Sequence, residues 1–143
     1  MPILQRHVAW TLATLALAGT ALVAQRRTVW DGVYTVAEAT RGAAAYRTTC
    51  AGCHGADLGG DGTAPSLVGE SFTFQWSDTT VKALLTRIQT AMPPDRPNSL
   101  SLDTYRDLVA FLLQANKMPP GQRELDPTPE NLEQIAITGN GKD

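Results

Sequence analysis

A chain of 143 residues with 18% charged and 43% hydrophobic side chains suffices for one domain, not two. Its formal net charge of −2 gives no electrostatic reason to expect nucleic acid or an anionic membrane surface as a partner. Two cysteines only three positions apart, Cys50 and Cys53, exclude a disulfide framework and point to local chemistry instead.

Residues 1–24 read differently from the rest. Arg6 and His7 form a short polar start, and Val8 to Val23 is mostly Ala, Leu, Val and Thr. That run is slightly longer than a signal-peptide core and short for a bilayer span. Small residues suited to cleavage stand at Ala16/Ala18 and Gly19/Ala21, so 1–24 is expected to be a secretory signal peptide. Arg26 and Arg27 beyond the apolar run keep an uncleaved anchor as the alternative. On either reading the folded part is exported, periplasmic, and touches a membrane only through an uncut N-terminus. From Gln25 onward, 11 basic residues stand against 14 acidic ones, a net charge near −3.

Residues 25–34 are a polar-aromatic lead. Thr35 to Glu38 has capping-box spacing, and the Ala-rich segment after it, through Thr49, predicts a helix. From Gly52 to Gly69 the chain is crowded with Gly, Asp and Pro, and a loop of that length needs something to wrap around. Val81, Leu84, Leu85 and Ile88 lie on one face of a second helix. Pro93, Pro94 and Pro97 make residues 91–100 a loop. A third helix starts near Ser101 with Leu102, Tyr105, Leu108, Val109, Phe111 and Leu112 as its apolar positions, and Pro119 and Pro120 close it. The main domain is expected over 35–125. A polar tail follows over 126–143, with at most a weak helix near Leu132–Ile137. No strand pattern or repeat is visible, so the fold class is all-α, three main helices and long loops. Aromatic residues are 6% of the chain, a thin core that a large buried cofactor would help to fill.

Cys50-Ala51-Gly52-Cys53-His54 is the C-x-x-C-H signature of covalent haem c attachment. Each thiol adds across one vinyl group, small residues between them let the backbone approach the macrocycle, and His54 follows as proximal iron ligand. A thioredoxin-like C-x-x-C should follow a strand, whereas here a predicted helix precedes it. A structural zinc site needs four ligands, and beyond the two cysteines the chain has only His7 and His54. For the sixth iron position the candidates are Met92, Met118 or no protein ligand. Met92 opens a Pro-stiffened loop, which favours it; a methionine beside a helix is otherwise core filler. Met/His ligation suits electron transfer, an open position a haem enzyme or gas sensor.

With Gly42 and Tyr46 ahead of Cys50, and Leu108-Val109-Ala110-Phe111-Leu112 in the last helix, the chain resembles the class I cytochrome c family over roughly Val29 to Leu125. Within that family it looks most like the cytochrome c domains and subunits of quinoprotein alcohol dehydrogenases. The resemblance implies one covalent haem and a first and last helix that cross at Gly42. It implies that Pro65 offers its carbonyl to His54, and that Met92, in Met92-Pro93-Pro94-Asp95-Arg96-Pro97, is the axial methionine. Trp76 would wall the haem pocket or donate to a haem propionate. Asn98 and Lys117 stand where relatives carry Gly, and Met118 where they carry Phe. The implied role is electron transfer, not catalysis, between redox partners such as a periplasmic dehydrogenase and an oxidase or another cytochrome. The chain has no quinoprotein propeller, so the relatives' dehydrogenase activity does not transfer.

Overall fold

The structure, a computed structural model, describes residues 26–139. The expected signal peptide and His7 lie outside them. The capping box at Thr35 forms. The Thr35 hydroxyl accepts the Glu38 N–H at 3.2 Å, and Glu38 Oε2 accepts the Thr35 N–H at 2.8 Å. It starts helix α1, Val36–Thr49. Glu38 is fully buried, and a buried carboxylate needs partners. Beyond the cap it accepts the Leu125 N–H at 3.0 Å and lies 3.2 Å from Arg106 Nε. One cap residue thus also binds the chain that leaves the last long helix.

That helix is α5, Leu102–Ala115, N-capped by the Ser101 hydroxyl. It packs along α1, and the two backbones meet at Gly42. A Cβ on Gly42 would collide with the Asp107 carbonyl and come within 2.8 Å of Phe111 Cβ. One turn on, the Tyr46 and Phe111 rings pack at a centroid distance of 5.2 Å. The exposed edge of the crossing is ionic. Arg41 forks onto the buried Asp107 carboxylate with both N–O distances at 2.8 Å, and those bonds hold its pKa above the ordinary arginine value.

Helix α2, Ala51–His54, is a single turn beyond α1, and α3, Glu70–Trp76, is short. Neither is foreseen in the sequence, because Phe72 alone is buried in α3 and one apolar residue makes no period. Helix α4, Val81–Ala91, is capped by Thr80 and buries Val81, Leu84 and Leu85, three of the four expected apolar-face residues.

The strand-free expectation is corrected. Strands β1 (Arg27–Thr28), β2 (Thr79–Thr80) and β3 (Ile135–Ile137) form a sheet in the order β1-β3-β2. β1 runs parallel to β3 with Arg27 opposite Ile135, and β2 runs antiparallel with Thr79 opposite Ile137. Strands of two or three residues are too short to display a period of two. The tail is likewise more than a polar extension. Helix α6, Pro129–Glu133, precedes β3, and Leu132, Ile135 and Ile137 are buried with Val29, Val33 and Tyr34 of the lead. Polar ties reinforce the pairing. Trp30 Nε1–H donates to the Thr138 carbonyl at 3.1 Å, and Lys82 of α4 pairs with Glu133 at 2.9 Å. The lead and tail therefore share one core with residues 35–125, and the tail anchors α4. Among the described residues no helix is long and apolar enough to cross a membrane.

Two stability measurements check these contacts. Gly42→Ala forces α1 and α5 apart and should cost about 3 kcal/mol in guanidinium unfolding, the upper range of overpacking effects. Ile135→Ala leaves a void under the sheet and should cost about 2–5 kcal/mol. An Ile135 variant as stable as the parent would mean the tail is not part of the core.

Candidate functional site

The site begins where α1 ends. Cys50 caps α1, its N–H bonded to the Tyr46 carbonyl at 2.8 Å, and the chain turns at once into α2. The Cys53 and His54 N–H groups both return to the Cys50 carbonyl, at 3.1 and 3.0 Å. That turn gathers the two thiols and the imidazole, three and four residues apart, on one side. All three line a cavity of about 580 Å3. Neither cysteine is in a disulfide; Cys50 is half-buried and Cys53 exposed. Burial, with Cys53 adding to it, pushes the Cys50 thiol up to about 11. Thiol oxidoreductases need the opposite shift.

His54 is 7% exposed, and its Nδ1 lies 3.0 Å from the Pro65 carbonyl oxygen. A carbonyl can only accept, so Nδ1–H donates to it, and in the neutral ring Nε2 then carries the lone pair a metal would take. The Gly-rich segment folds to make this possible. The Gly60 N–H returns to the His54 carbonyl at 2.9 Å, and the Leu67 N–H to the Leu58 carbonyl at 2.8 Å. At Gly60, with φ +76°, a Cβ would run into the Ala64 carbonyl and lie 2.9 Å from Pro65 C, so glycine alone allows the Pro65 strand this close. The Tyr46 hydroxyl donates to the Gly55 carbonyl at 2.7 Å and ties the loop back to α1.

The cavity's other walls come from Phe72, Gln75 and Trp76 of α3, Leu84, Arg87 and Ile88 of α4, Leu108 and Leu112 of α5, and the segment Met92 to Asp95. Met92 caps α4, its N–H bonded to the Ile88 carbonyl at 2.9 Å, and the Met92–Pro93 peptide is cis. The loop beyond is clamped back onto α4. The Asn98 N–H reaches the Gln89 carbonyl at 2.8 Å, and Gln89 Nε2 donates to Asn98 Oδ1 at 3.0 Å. Asn98 does this at φ 59° and Lys117 adopts φ 67°, so both positions where glycine is usual are left-handed here. Met118 lies elsewhere. It is buried in the core, 5% exposed, and is not a cavity residue.

All six residues singled out from the sequence, Cys50, Cys53, His54, Pro65, Trp76 and Met92, therefore line one cavity. The apolar faces of α4 and α5 foretold Leu84, Ile88, Leu108 and Leu112 as interior residues, though not as walls of a cavity. Phe72, Gln75 and Arg87 were missed. The first two sit on the unpredicted α3, and Arg87 falls outside the Val81, Leu84, Leu85 and Ile88 face of α4.

A cavity of this size falls in the range of about 300–1,000 Å3 that cofactors occupy. Its donor set of two thiols, an oriented imidazole and a thioether suits covalent haem, and its mainly aliphatic and aromatic walls suit a porphyrin face. Among the described residues no three His, Cys, Asp or Glu side chains converge as a cage for a bare metal ion.

No curated protein matches the chain. Among solved structures it is similar to a chain of the sulfane dehydrogenase SoxCD from Paracoccus pantotrophus, with 25% identity over 85% of this chain and 68% of that one. The TM-score is 0.49, too loose a likeness to bear on the site. Residues 37–112 match the family described as cytochrome c oxidase, cbb3-type, subunit III. That match spans just over half of the chain, from the first turn of α1 through the thiol turn to the last turn of α5. A match of that extent makes the chain a member of this family of c-type cytochromes, whose chemistry is electron transfer by haem.

Proposed function

We propose that the chain carries one haem c, joined by thioethers to Cys50 and Cys53 and ligated by His54 and Met92. In this reading it passes single electrons in the periplasm and is not itself an enzyme. The observation that carries the ligand assignment is the division of the methionines, Met92 at the cavity and Met118 in the core. The haem supplies an iron that changes oxidation state by one electron. The chain's own residues keep that change small in geometry. Pro65 holds the His54 ring by Nδ1–H, which also makes Nε2 a better donor. The Gln89–Asn98 clamp and the Met92 backbone bond to α4 restrain the other side. Phe72, Leu84, Leu108 and Leu112 give the lining an apolar surface.

The periplasmic location rests on the apolar N-terminal stretch together with the covalent attachment motif. The partners proposed are a dehydrogenase on one side and an oxidase or another cytochrome on the other. The family's description as an oxidase subunit supports an oxidase as acceptor. With a net charge near −3 after residue 24, no strong electrostatic steering is expected, and the encounter should be small and transient.

Two measurements test the reading. The intact mass after export should exceed the polypeptide by one haem, and a pyridine haemochrome assay should count one per chain; bare polypeptide would end the proposal. Met92→Ala should abolish the sulfur-to-ferric-iron charge-transfer band and open the iron to carbon monoxide. Met118→Ala should keep the band and lose about 2–5 kcal/mol of stability. A parent protein that binds carbon monoxide readily would favour a haem enzyme or gas sensor instead.

A further inference from the structure

The polar groups that line the cavity come from different elements. The thiols come from the α1–α2 junction, whereas the side-chain amide of Gln75, the indole of Trp76 and the guanidinium of Arg87 come from α3 and α4. Arg87 is the one Lys or Arg among the cavity residues. It sits between Leu84 and Ile88 on the lining face of α4, and its side chain is exposed at the rim. Among the described residues it makes no ion pair or side-chain hydrogen bond, although a carboxylate, Asp95, also lines the cavity. Asp95 is taken by Arg96 at 3.2 Å. The fold thus leaves a cation at the cavity edge with no protein anion assigned to it.

A haem carries its two vinyl groups on one edge and its two propionates on the opposite edge. If the vinyls were taken by Cys50 and Cys53, the propionates would lie away from the thiols, and Arg87 is the one cationic side chain of the lining available to them. Carboxylates at the rim of an apolar cavity need a cation, and a guanidinium can bind one in fork geometry. We propose that Arg87 is the counter-ion of the haem propionates and that its charge raises the reduction potential. The inference rests on the covalent-haem reading above. The sign follows from charge: a fixed cation favours the state holding one more electron, so removing it favours the oxidised protein.

The test uses the full-length haem protein and its Arg87→Gln, Arg87→Lys and Arg96→Gln variants. Each is checked first by pyridine haemochrome and by the charge-transfer band. At a fixed ambient potential Arg87→Gln should shift the reduced-to-oxidised ratio at least about threefold toward oxidised. That is a fall of about 28 mV, at about 59 mV per tenfold for one electron. Arg87→Lys should recover more than half of the shift, because it restores the charge without the fork. Arg96→Gln, which removes an equal charge outside the lining, should move the ratio far less. An unchanged potential in Arg87→Gln with haem and band intact overturns the proposal, as does a fall that Lys does not rescue or that Arg96→Gln equals. A parent chain without haem would overturn the covalent-haem reading itself, an outcome distinct from any result on the variants of a haem-loaded parent.

Discussion

The close approach of α1 and α5 at Gly42 is the constraint on which the rest depends. With no Cβ there, the two backbones touch, and the helix that ends in Cys50 is set at a fixed height against the helix that contributes Leu108 and Leu112. Beyond that contact α1 stops, and Thr49, Cys50, Leu108 and Leu112 all line the cavity. Tyr46 links the two regions: its ring packs on Phe111 at the crossing, and its hydroxyl holds the Gly55 carbonyl just beyond the thiol turn. The buried Glu38 and the Arg41–Asp107 fork hold the same pair of helices at the opposite end from Cys50.

The two candidate iron ligands are held by different means. His54 is on a turn of helix and is oriented by one backbone carbonyl from a loop that returns over it. Met92 is at the point where a helix stops and is restrained by a loop that folds back on that helix. Both arrangements fix the backbone that carries the ligand. The long loops are therefore not slack: one sets the Pro65 carbonyl against His54, and the other is tied back to α4 through Asn98 and Gln89.

Helix α4 carries more of this burden than its length suggests. Its N-terminus follows β2, which pairs with β3 of the tail, while Lys82 meets Glu133. Its C-terminus leads into Met92. The tail thus braces the helix that presents one wall of the cavity and leads into one of its candidate ligands. A sheet of three very short strands can do this because Ile135 and Ile137 are buried and couple it to the core.

Local signals in the sequence determined the three long helices, the thiol–imidazole pentad and the Pro-stiffened methionine loop. Each is a pattern of neighbours: a capping box at Thr35, a 3.6-residue period in α4 and α5, a C-x-x-C-H pentad. Asn98 and Lys117 were marked only by the family resemblance as standing at glycine positions, and both are left-handed in the structure. Pro65 and Trp76 were reached only through a family resemblance, since nothing in their neighbours says what lies opposite them. Tertiary structure alone decided that Met92 and not Met118 meets the cavity, that Arg87 stands at its rim, and that residues 27–28 and 135–137 pair across the whole chain. Those outcomes depend on packing between segments far apart in sequence, and no period or spacing along a single segment encodes such distances.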